Sequence, residues 1–233
     1  MSEPLFDILR KVTTATMTTM LLKKGIRRCW MNGPKPLAGI GERIVGRAFT
    51  LRFIPVREDV ATPESWSNPI STRSAIEEMP EGVIAVADAM AALSAGIFGD
   101  ILCARMKKRH VAALVTDGAV RDRSGVHASG LPVWCAGVAA PASVNGLTFV
   151  GWQQPIACGG CAIFPDDVIV ADDDGAVVIP QALLEFVAHE GAEHELYESW
   201  VFSEVENGVK LPGLYPPNDD AKARYAAWRK SRA

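Results

Sequence analysis

A regular alternation of strand-like and helix-like segments between residues 83 and 136 most strongly limits how this chain can fold. Three short apolar runs alternate there with two segments of helical spacing: residues 83–87, 100–109, 111–115, 121–128 and 132–136. Strands that are joined by helices usually pair in parallel, through right-handed connections. The sequence therefore predicts an α/β fold in which at least part of the sheet is parallel.

Further strands and helices are predicted on both sides of this unit. Ile44–Pro55 alternates and is rich in Val, Phe and Ile, which is typical of a strand. Asp174-Gly175 separates two apolar runs and predicts a hairpin turn, because Asp-Gly suits positive φ. Helices are predicted near both ends of the chain, over residues 5–19, 181–206 and 221–230.

The predicted organisation is a single domain over residues 1–210, followed by a C-terminal extension over residues 211–233. No internal repeat or low-complexity segment divides the chain. Residues 57–79 are polar and contain Pro63, Trp66 and Pro69, so we interpret them as an excursion or inserted loop with a helical patch at its end.

Composition and charge argue against several classes of protein. Hydrophobic residues make up 48% and charged residues 22%, as in ordinary globular proteins, and a net charge of −3 predicts no nucleic-acid partner. Residues 124–165 lack Asp, Glu, Lys and Arg, but prolines, glycines and amides interrupt them, which favours buried strands over a membrane span. An odd count of five cysteines and no signal-peptide pattern predict a cytoplasmic protein.

Two apparent metal motifs fail on spacing. Cys158 and Cys161 form a CxxC, but no second pair of thiols or imidazoles lies nearby, and a hairpin rather than a helix follows. We interpret them as incidental thiols in a close-packed, glycine-containing strand. His189 and His194 are five apart, which turns the second by about 140° from the first on a helix. A zinc-protease motif needs a spacing of four.

The strongest local signal is Gly99-Asp100, followed after twenty residues by Arg121-Asp122. Asp100 would begin a helix, where free backbone N–H groups attract anions. Arg121 and Asp122 would lie in a loop after the next strand, where α/β folds carry their sites. A guanidinium and two carboxylates could then converge on a ligand and on Mg²⁺ or Mn²⁺. The spacing alone fits equally well a plain N-cap at Asp100 and a surface ion pair at Arg121 and Asp122.

These residues resemble a known family. The segments 99–102 and 115–122 are similar to the D-x20-R-D signature of the RraA-like family, which includes 4-hydroxy-4-methyl-2-oxoglutarate and 4-carboxy-4-hydroxy-2-oxoadipate aldolases. The resemblance extends through Cys158-Gly159-Gly160 and residues 165–180, and covers roughly residues 44–201. Two departures are the polar segment 57–79, which is longer than in compact aldolases, and Cys161 in place of a small aliphatic residue.

The resemblance implies a swivelling β/β/α domain, with mixed sheet layers, flanking helices and a long C-terminal helix. It also implies a homotrimer or a dimer of trimers with sites between subunits. Asp122 would bind Mg²⁺ or Mn²⁺ directly, Asp100 would hold a metal-bound water, and a glutamate of a neighbouring subunit would reach other metal-bound waters. Glu198 is the candidate for that glutamate, with Glu195 as the other possibility.

For catalysis, the resemblance implies a class II pyruvate aldolase acting on 4-hydroxy-2-oxo acids. Arg121 would bind the pyruvyl oxygens, and the backbone around Gly99, Ile101 and Leu102 would hold the substrate carboxylate. Oxaloacetate decarboxylation passes through the same pyruvate enolate and is expected too. Some family members instead are non-catalytic regulators that bind and inhibit an RNA-degrading endonuclease, and this alternative stays open.

Overall fold

A mixed sheet that forks at one long strand organises the structure, a computed structural model that describes residues 4–39 and 41–231. The strands are, in chain order, β1 (Lys35–Pro36), β2 (Ile44–Pro55), β3 (Ile84–Asp88), β4 (Ala113–Thr116), β5 (Ala119–Val120), β6 (Val133–Cys135), β7 (Gly137–Val138), β8 (Leu147–Trp152), β9 (Ile156–Cys158), β10 (Cys161–Ile163), β11 (Val168–Asp172) and β12 (Gly175–Ile179). Eight of them form the main sheet, in the order β1-β6-β4-β3-β2-β11-β12, with β8 also on β2.

The centre of this sheet is parallel, as the alternation predicted. β2, β3, β4 and β6 pair in parallel, whereas β11, β12 and β8 join antiparallel. The Asp-Gly hairpin between β11 and β12 is confirmed. β2 is long enough to pair with β11 through its first residues and with β8 through its last ones.

Helices cover both faces of the sheet. They are α1 (Pro4–Leu9), α2 (Thr14–Lys23), α3 (Thr72–Glu78), α4 (Asp100–Lys108), α5 (Arg123–Ala128), α6 (Leu184–Glu206) and α7 (Asp219–Lys230). Alternate residues of β3 face opposite ways, so Ile84 and Val86 join the core under α1, α2 and α6, while Ala85 and Ala87 join the core under α3, α4 and α5. In the part of the chain that is described, no helix is both long and apolar enough to cross a bilayer.

Residues 29–36 connect the two outer edges of the main sheet. The Met31 N–H donates to the Ala176 carbonyl of β12, and the Val178 N–H donates to the Cys29 carbonyl. A few residues later, Lys35 and Pro36 pair with β6 at the opposite edge. The sheet is therefore curled, and one short segment covers both of its edges.

The predicted single helix over residues 5–19 is wrong. The helix is interrupted between Leu9 and Thr14, because Thr13 has an extended backbone. The Thr13 hydroxyl accepts the Thr16 N–H and so begins α2 as a new helix. The predicted helix over residues 181–206 is interrupted less: a 3-10 turn at Gln181–Leu183 precedes α6.

Two distant carboxylates hold the start of α2. Asp172, at the end of β11, accepts the Thr14 N–H (3.0 Å) and the Thr14 hydroxyl (2.7 Å), and Arg43 Nε lies 3.1 Å from it. Burial alone would raise the pKa of Asp172, but these hydrogen bonds hold it below its ordinary value. Glu195 of α6 accepts the neighbouring Thr13 N–H at 2.7 Å. The N-terminal positive end of α2 thus faces two negative groups.

Asp172→Asn is expected to lower the free energy of unfolding at pH 7 by about 2 kcal/mol, because a partly buried charged acceptor is lost. The lowered pKa means that the carboxylate stabilises the fold above its unfolded pKa, about 4, and that this contribution disappears as pH falls through the folded pKa. Urea unfolding at pH 7 and at pH 3 measures both effects. Asp173→Asn, which changes an exposed neighbour, is the matched control. If Asp172→Asn lowered the free energy of unfolding as much at pH 3 as at pH 7, the electrostatic explanation would be contradicted.

The predicted C-terminal extension packs against α6. Trp200 and Val201 of α6 form a third apolar cluster with Leu214 and Ala221, joined by aromatic rings that include Tyr225. The described part of residues 211–231 is therefore attached to the long helix by its own small core.

Candidate functional site

A short parallel ladder places the two halves of the predicted motif side by side. Gly96 bridges Ala119, the Ile97 N–H donates to the Ala119 carbonyl (2.9 Å), and the Arg121 N–H donates to the Phe98 carbonyl (2.9 Å). Both segments follow parallel strands of the main sheet, β3 and β4. Gly99 and Asp100 therefore emerge beside Arg121 and Asp122, as the site prediction requires.

Three glycines allow this close approach. A Cβ on Gly96 would lie 2.7 Å from both the backbone N and the Cβ of Arg121. A Cβ on Gly99 would lie 2.9 Å from Asp122 Oδ2, and one on Gly125 would lie 2.6 Å from the Cβ of Asp100. Such distances are well inside van der Waals contact, so larger residues would push the two carboxylates and the guanidinium apart.

Arg121 and Asp122 form a half-exposed ion pair. Arg121 Nε lies 3.0 Å from Asp122 Oδ2, and the two side chains are 37% and 47% exposed. Asp122 has a left-handed backbone (φ 53°, ψ 47°) and precedes α5 without using its side chain as a cap. A non-glycine residue in this region costs about 1–3 kcal/mol and often marks a functional position. The backbone thus positions the carboxylate, and Arg121 contacts one of its two oxygens.

Asp100 and the first turn of α4 supply the remaining groups. Asp100 Oδ1 accepts the Ile101 N–H at 2.7 Å, and Gly99, the N-cap residue, has no side chain to occupy the other donors. Ile101 is 78% exposed, whereas Leu102 is half-buried against the core. The helix start therefore presents backbone N–H groups beside Arg121, an arrangement suited to a carboxylate ligand.

The donor atoms of this site suit a hard divalent cation. Its titratable oxygen donors are the carboxylates of Asp100 and Asp122, and the described residues contain no group of three His, Cys, Asp or Glu side chains placed to hold a metal. Mg²⁺ commonly binds through one or two carboxylates and keeps several waters. Asp122 and Asp100 therefore fit such a cation, with its other ligands coming from outside this set.

Comparison with known proteins identifies the family. The sequence model of the RraA-like family, described as Aldolase/RraA, matches residues 12–178. The chain belongs to the RraA-like family. Its matched region includes the whole Gly99 to Asp122 motif and the sheet that carries it.

Proteins similar to this RraA-like chain carry different descriptions. A protein of Halalkalibacterium halodurans named "Putative 4-hydroxy-4-methyl-2-oxoglutarate aldolase" is 34% identical over 154 residues, 66% of this chain and 67% of that protein. Protein DlpA of Legionella pneumophila is 29% identical over 177 residues, 76% of this chain, but the chain spans only 28% of DlpA. RraAS2 of Streptomyces coelicolor, described as an unusual member of the RNase ES inhibitor RraA protein family, superposes with a TM-score of 0.76 at 34% identity, over 86% of this chain and 96% of that one.

Both candidate glutamates of this RraA-like domain have hydrogen-bond partners in their own chain. Glu195 is held by Thr13 at the start of α2, with a pKa that burial would raise but the Thr13 hydrogen bonds lower. Glu198 accepts the Tyr215 hydroxyl at 2.8 Å and lies 3.2 Å from His194 Nε2. Its side chain is 38% exposed. Glu195 thus has a structural partner in the single chain, and a contribution of Glu198 to a neighbour's site stays a prediction.

One carboxylate of this RraA-like fold was missed by sequence reasoning. Asp117 directly follows β4 and is buried, and it accepts the Ala89 N–H (2.8 Å) and the Gly159 N–H (3.1 Å). Burial raises its pKa despite these bonds. Asp117 therefore joins the loops that follow β3, β4 and β9. Its place directly after an apolar strand was the available signal.

The two CxxC thiols are packed inside the fold. Cys158 and Cys161 face each other across the turn between β9 and β10, and both are free and buried. Burial raises the pKa of Cys161 to about 11 and that of Cys158 well above its ordinary value. Because the thiolate is the reactive form, this environment agrees with packing rather than redox chemistry.

Proposed function

We propose that this RraA-like protein is a divalent-metal-dependent lyase that cleaves 4-hydroxy-2-oxo acids to pyruvate and an oxo compound, and that it also decarboxylates oxaloacetate. The observation that carries the proposal is the meeting of the Arg121 guanidinium, the Asp100 and Asp122 carboxylates and the open start of α4 at one place. The name of the Halalkalibacterium halodurans relative supports the same class of reaction.

The residues divide the chemistry between them. The N–H groups at the start of α4, around Gly99, Ile101 and Leu102, bind the substrate carboxylate, which would replace Asp100 Oδ1 as the acceptor of the Ile101 N–H. Arg121 supplies a fixed positive charge where the enolate oxygen gains negative charge as the carbon–carbon bond breaks. Asp122 and Asp100 would hold Mg²⁺ or Mn²⁺, Asp122 directly and Asp100 through water. When bound, the cation supplies Lewis-acid polarisation of the 2-oxo group.

A Schiff-base mechanism is less compatible with this site. The lysines nearest in sequence, Lys107 and Lys108, lie at the opposite end of α4 and are exposed. A lysine nucleophile normally needs a desolvated amine close to the substrate.

The proposal is tested by following pyruvate formation. Purified protein with Mg²⁺ or Mn²⁺ is incubated with oxaloacetate or 4-hydroxy-4-methyl-2-oxoglutarate, and pyruvate is measured by coupling to lactate dehydrogenase. Protein-free reactions correct for spontaneous decarboxylation. Pyruvate formation that depends on both protein and metal is expected. No enzymatic pyruvate from either substrate or from a panel of related acids would contradict the lyase and favour the endonuclease-binding alternative.

Metal titration separates the roles of the two carboxylates. Asp122→Asn is expected to weaken Mn²⁺ binding more than Asp100→Asn, because only Asp122 is proposed to contact the metal directly. Loss of a water-mediated partner typically costs about 10–100-fold in affinity. Isothermal titration of both variants, with Asp173→Asn as a remote control, measures the difference. Unchanged affinity in both variants would mean that the carboxylates are structural.

A shared site predicts complementation between inactive variants. If Glu198 of one subunit completes the site of its neighbour, Arg121→Ala and Glu198→Ala each lower turnover strongly. Mixing the two variants and reassembling them then restores part of the activity. Glu195→Ala is tested in the same way. Sedimentation measures whether the active species is a trimer or hexamer. A fully active monomer, or no recovery in any mixture, would refute the shared site and leave the Arg121 assignment intact.

A further inference from the structure

The polar segment 57–79 encloses a cavity against the end of the sheet. This cavity has a volume of about 460 Å³ and lies between that segment and residues 143–150, which include most of β8. Pockets for small ligands usually measure about 300–1,000 Å³. The excursion predicted from sequence is therefore one wall of a space large enough for a small organic molecule.

The walls of the cavity are fixed to each other. The Arg57 N–H donates to the Thr148 hydroxyl oxygen (3.0 Å), and the Val56 N–H donates to the Gly146 carbonyl (3.1 Å). On the sheet side, the ring of Phe149 packs edge-on against Phe53 with centroids 5.1 Å apart. The cavity is thus a preformed feature, with one wall supplied by paired strand residues.

The lining is uncharged and mostly apolar. Among the described residues that line it, none is Asp, Glu, Lys, Arg or His; Trp66, Phe149, Val144 and Leu147 provide apolar surface. Several lining groups have no hydrogen-bond acceptor among the described residues and can donate to a ligand: the indole N–H of Trp66, the side-chain amide of Asn68 and the hydroxyl groups of Thr72, Ser143 and Thr148. The complementary ligand is a neutral aromatic or similarly apolar molecule that carries an acceptor oxygen.

This chemistry differs from that of the proposed catalytic site. A 2-oxo diacid carries two negative charges, and no charged side chain lines the cavity to compensate for their desolvation. Arg73 lies 5.0 Å from the centroid of the Trp66 ring but is not one of the lining residues. None of the residues of the Gly99–Asp122 motif lines the cavity. The cavity therefore suits a different ligand from the substrate.

We propose that the cavity between residues 57–79 and 143–150 is a second binding site, which takes an uncharged aromatic molecule with a carbonyl-type acceptor. The proposal goes beyond the lyase function and does not depend on it. The ligand lies against Trp66 and Phe149, and its oxygen accepts from Trp66 Nε1 or the Thr148 hydroxyl.

Acetophenone and benzoate form a matched pair of probes, because they are close in shape but differ in charge. Saturation-transfer NMR with the full-length protein is expected to show acetophenone binding and no comparable benzoate binding in this cavity. Trp66→Ala removes an aromatic wall, and Val144→Phe fills the space from the opposite side. Each is expected to weaken acetophenone binding at least about tenfold, as expected when an aromatic contact and its buried area are lost.

Two control variants test whether acetophenone binds in the cavity rather than elsewhere on the protein. Trp30→Ala removes another partly exposed tryptophan outside the cavity, and Arg121→Ala removes the catalytic guanidinium; both should bind acetophenone like the wild type. Circular dichroism and thermal melting confirm that each variant is folded. The proposal is overturned if the wild type does not bind acetophenone, or if both cavity variants bind it unchanged. It is also overturned if Arg121→Ala or Trp30→Ala abolishes binding, or if benzoate binding survives Arg121→Ala and is lost in Trp66→Ala.

Discussion

Arg121→Ala is expected to reduce pyruvate formation by about 10²–10³-fold, the usual cost of removing one group that stabilises a developing oxyanion. The guanidinium stands beside the start of α4 and beside Asp122, where it meets the growing negative charge of the enolate. The effect should appear in kcat as well as kcat/KM, because the charge develops only as the bond breaks. Coupled pyruvate assays at saturating and limiting substrate measure both constants.

The fold should survive this change. The Arg121–Asp122 pair is half-exposed, and such pairs contribute only about 0–1 kcal/mol to stability. Arg121→Lys keeps the charge but lacks the planar fork, so it should recover part of the activity. Arg105→Ala, which breaks an exposed ion pair between Arg105 of α4 and Glu77 of α3, is the matched control and should turn over normally. Wild-type rates in Arg121→Ala would remove this residue from the mechanism.

Gly96→Ala is expected to damage the site, although Gly96 itself supplies no group that binds substrate. The new Cβ would lie 2.7 Å from the backbone N and the Cβ of Arg121, so the ladder that aligns residues 96–98 with residues 119–121 must separate. A displacement of about 1 Å at a reacting group can cost about 10²-fold in rate. The overpacking should also lower the free energy of unfolding by about 1–3 kcal/mol.

Gly41→Ala is the matched control for this substitution, because a Cβ there meets nothing within 4 Å. Steady-state kinetics and urea unfolding of the two variants distinguish loss of alignment from a general effect of replacing glycine. If Gly96→Ala lost stability but kept full turnover, the alignment of Arg121 would not depend on this contact.

Local patterns predicted the elements of the fold well where one signal dominated. The alternation in Ile44–Pro55 identified β2 with its correct bounds, and Asp174-Gly175 identified the hairpin of β11 and β12. The break between α1 and α2 was not predicted. The sequence does not show that the backbone is extended at Thr13, and only this conformation makes Thr13 the N-cap of α2. Apolar periodicity continues through that break, so it suggested one helix.

The sequence predicted that the two halves of the motif converge, but not the geometry that brings them together. The spacing of Asp100 and Arg121 pointed to two loops at one edge of the sheet, yet a ladder of only three residues brings them together. The role of Gly96 and Gly125 could not be predicted, because it depends on Arg121 and Asp100, which lie against them only in the folded chain. The cavity formed by residues 57–79 could not be predicted either, since its second wall comes from residues 143–150.

The segment 29–36, which pairs with both β6 and β12, affects how the chain folds during translation. Residues 29–36 pair with β6 and β12, and α1 and α2 pack under α6. The described residues before position 37 therefore depend on segments as far along the chain as α6. Until those segments have been translated, apolar side chains such as Leu9, Met17 and Leu21 face water. Contacts so distant in sequence form slowly, and exposed apolar surface favours aggregation. Residues 4–39 are therefore translated before the segments that bury them, and chaperones that shield nascent chains would be most useful to this part of the protein.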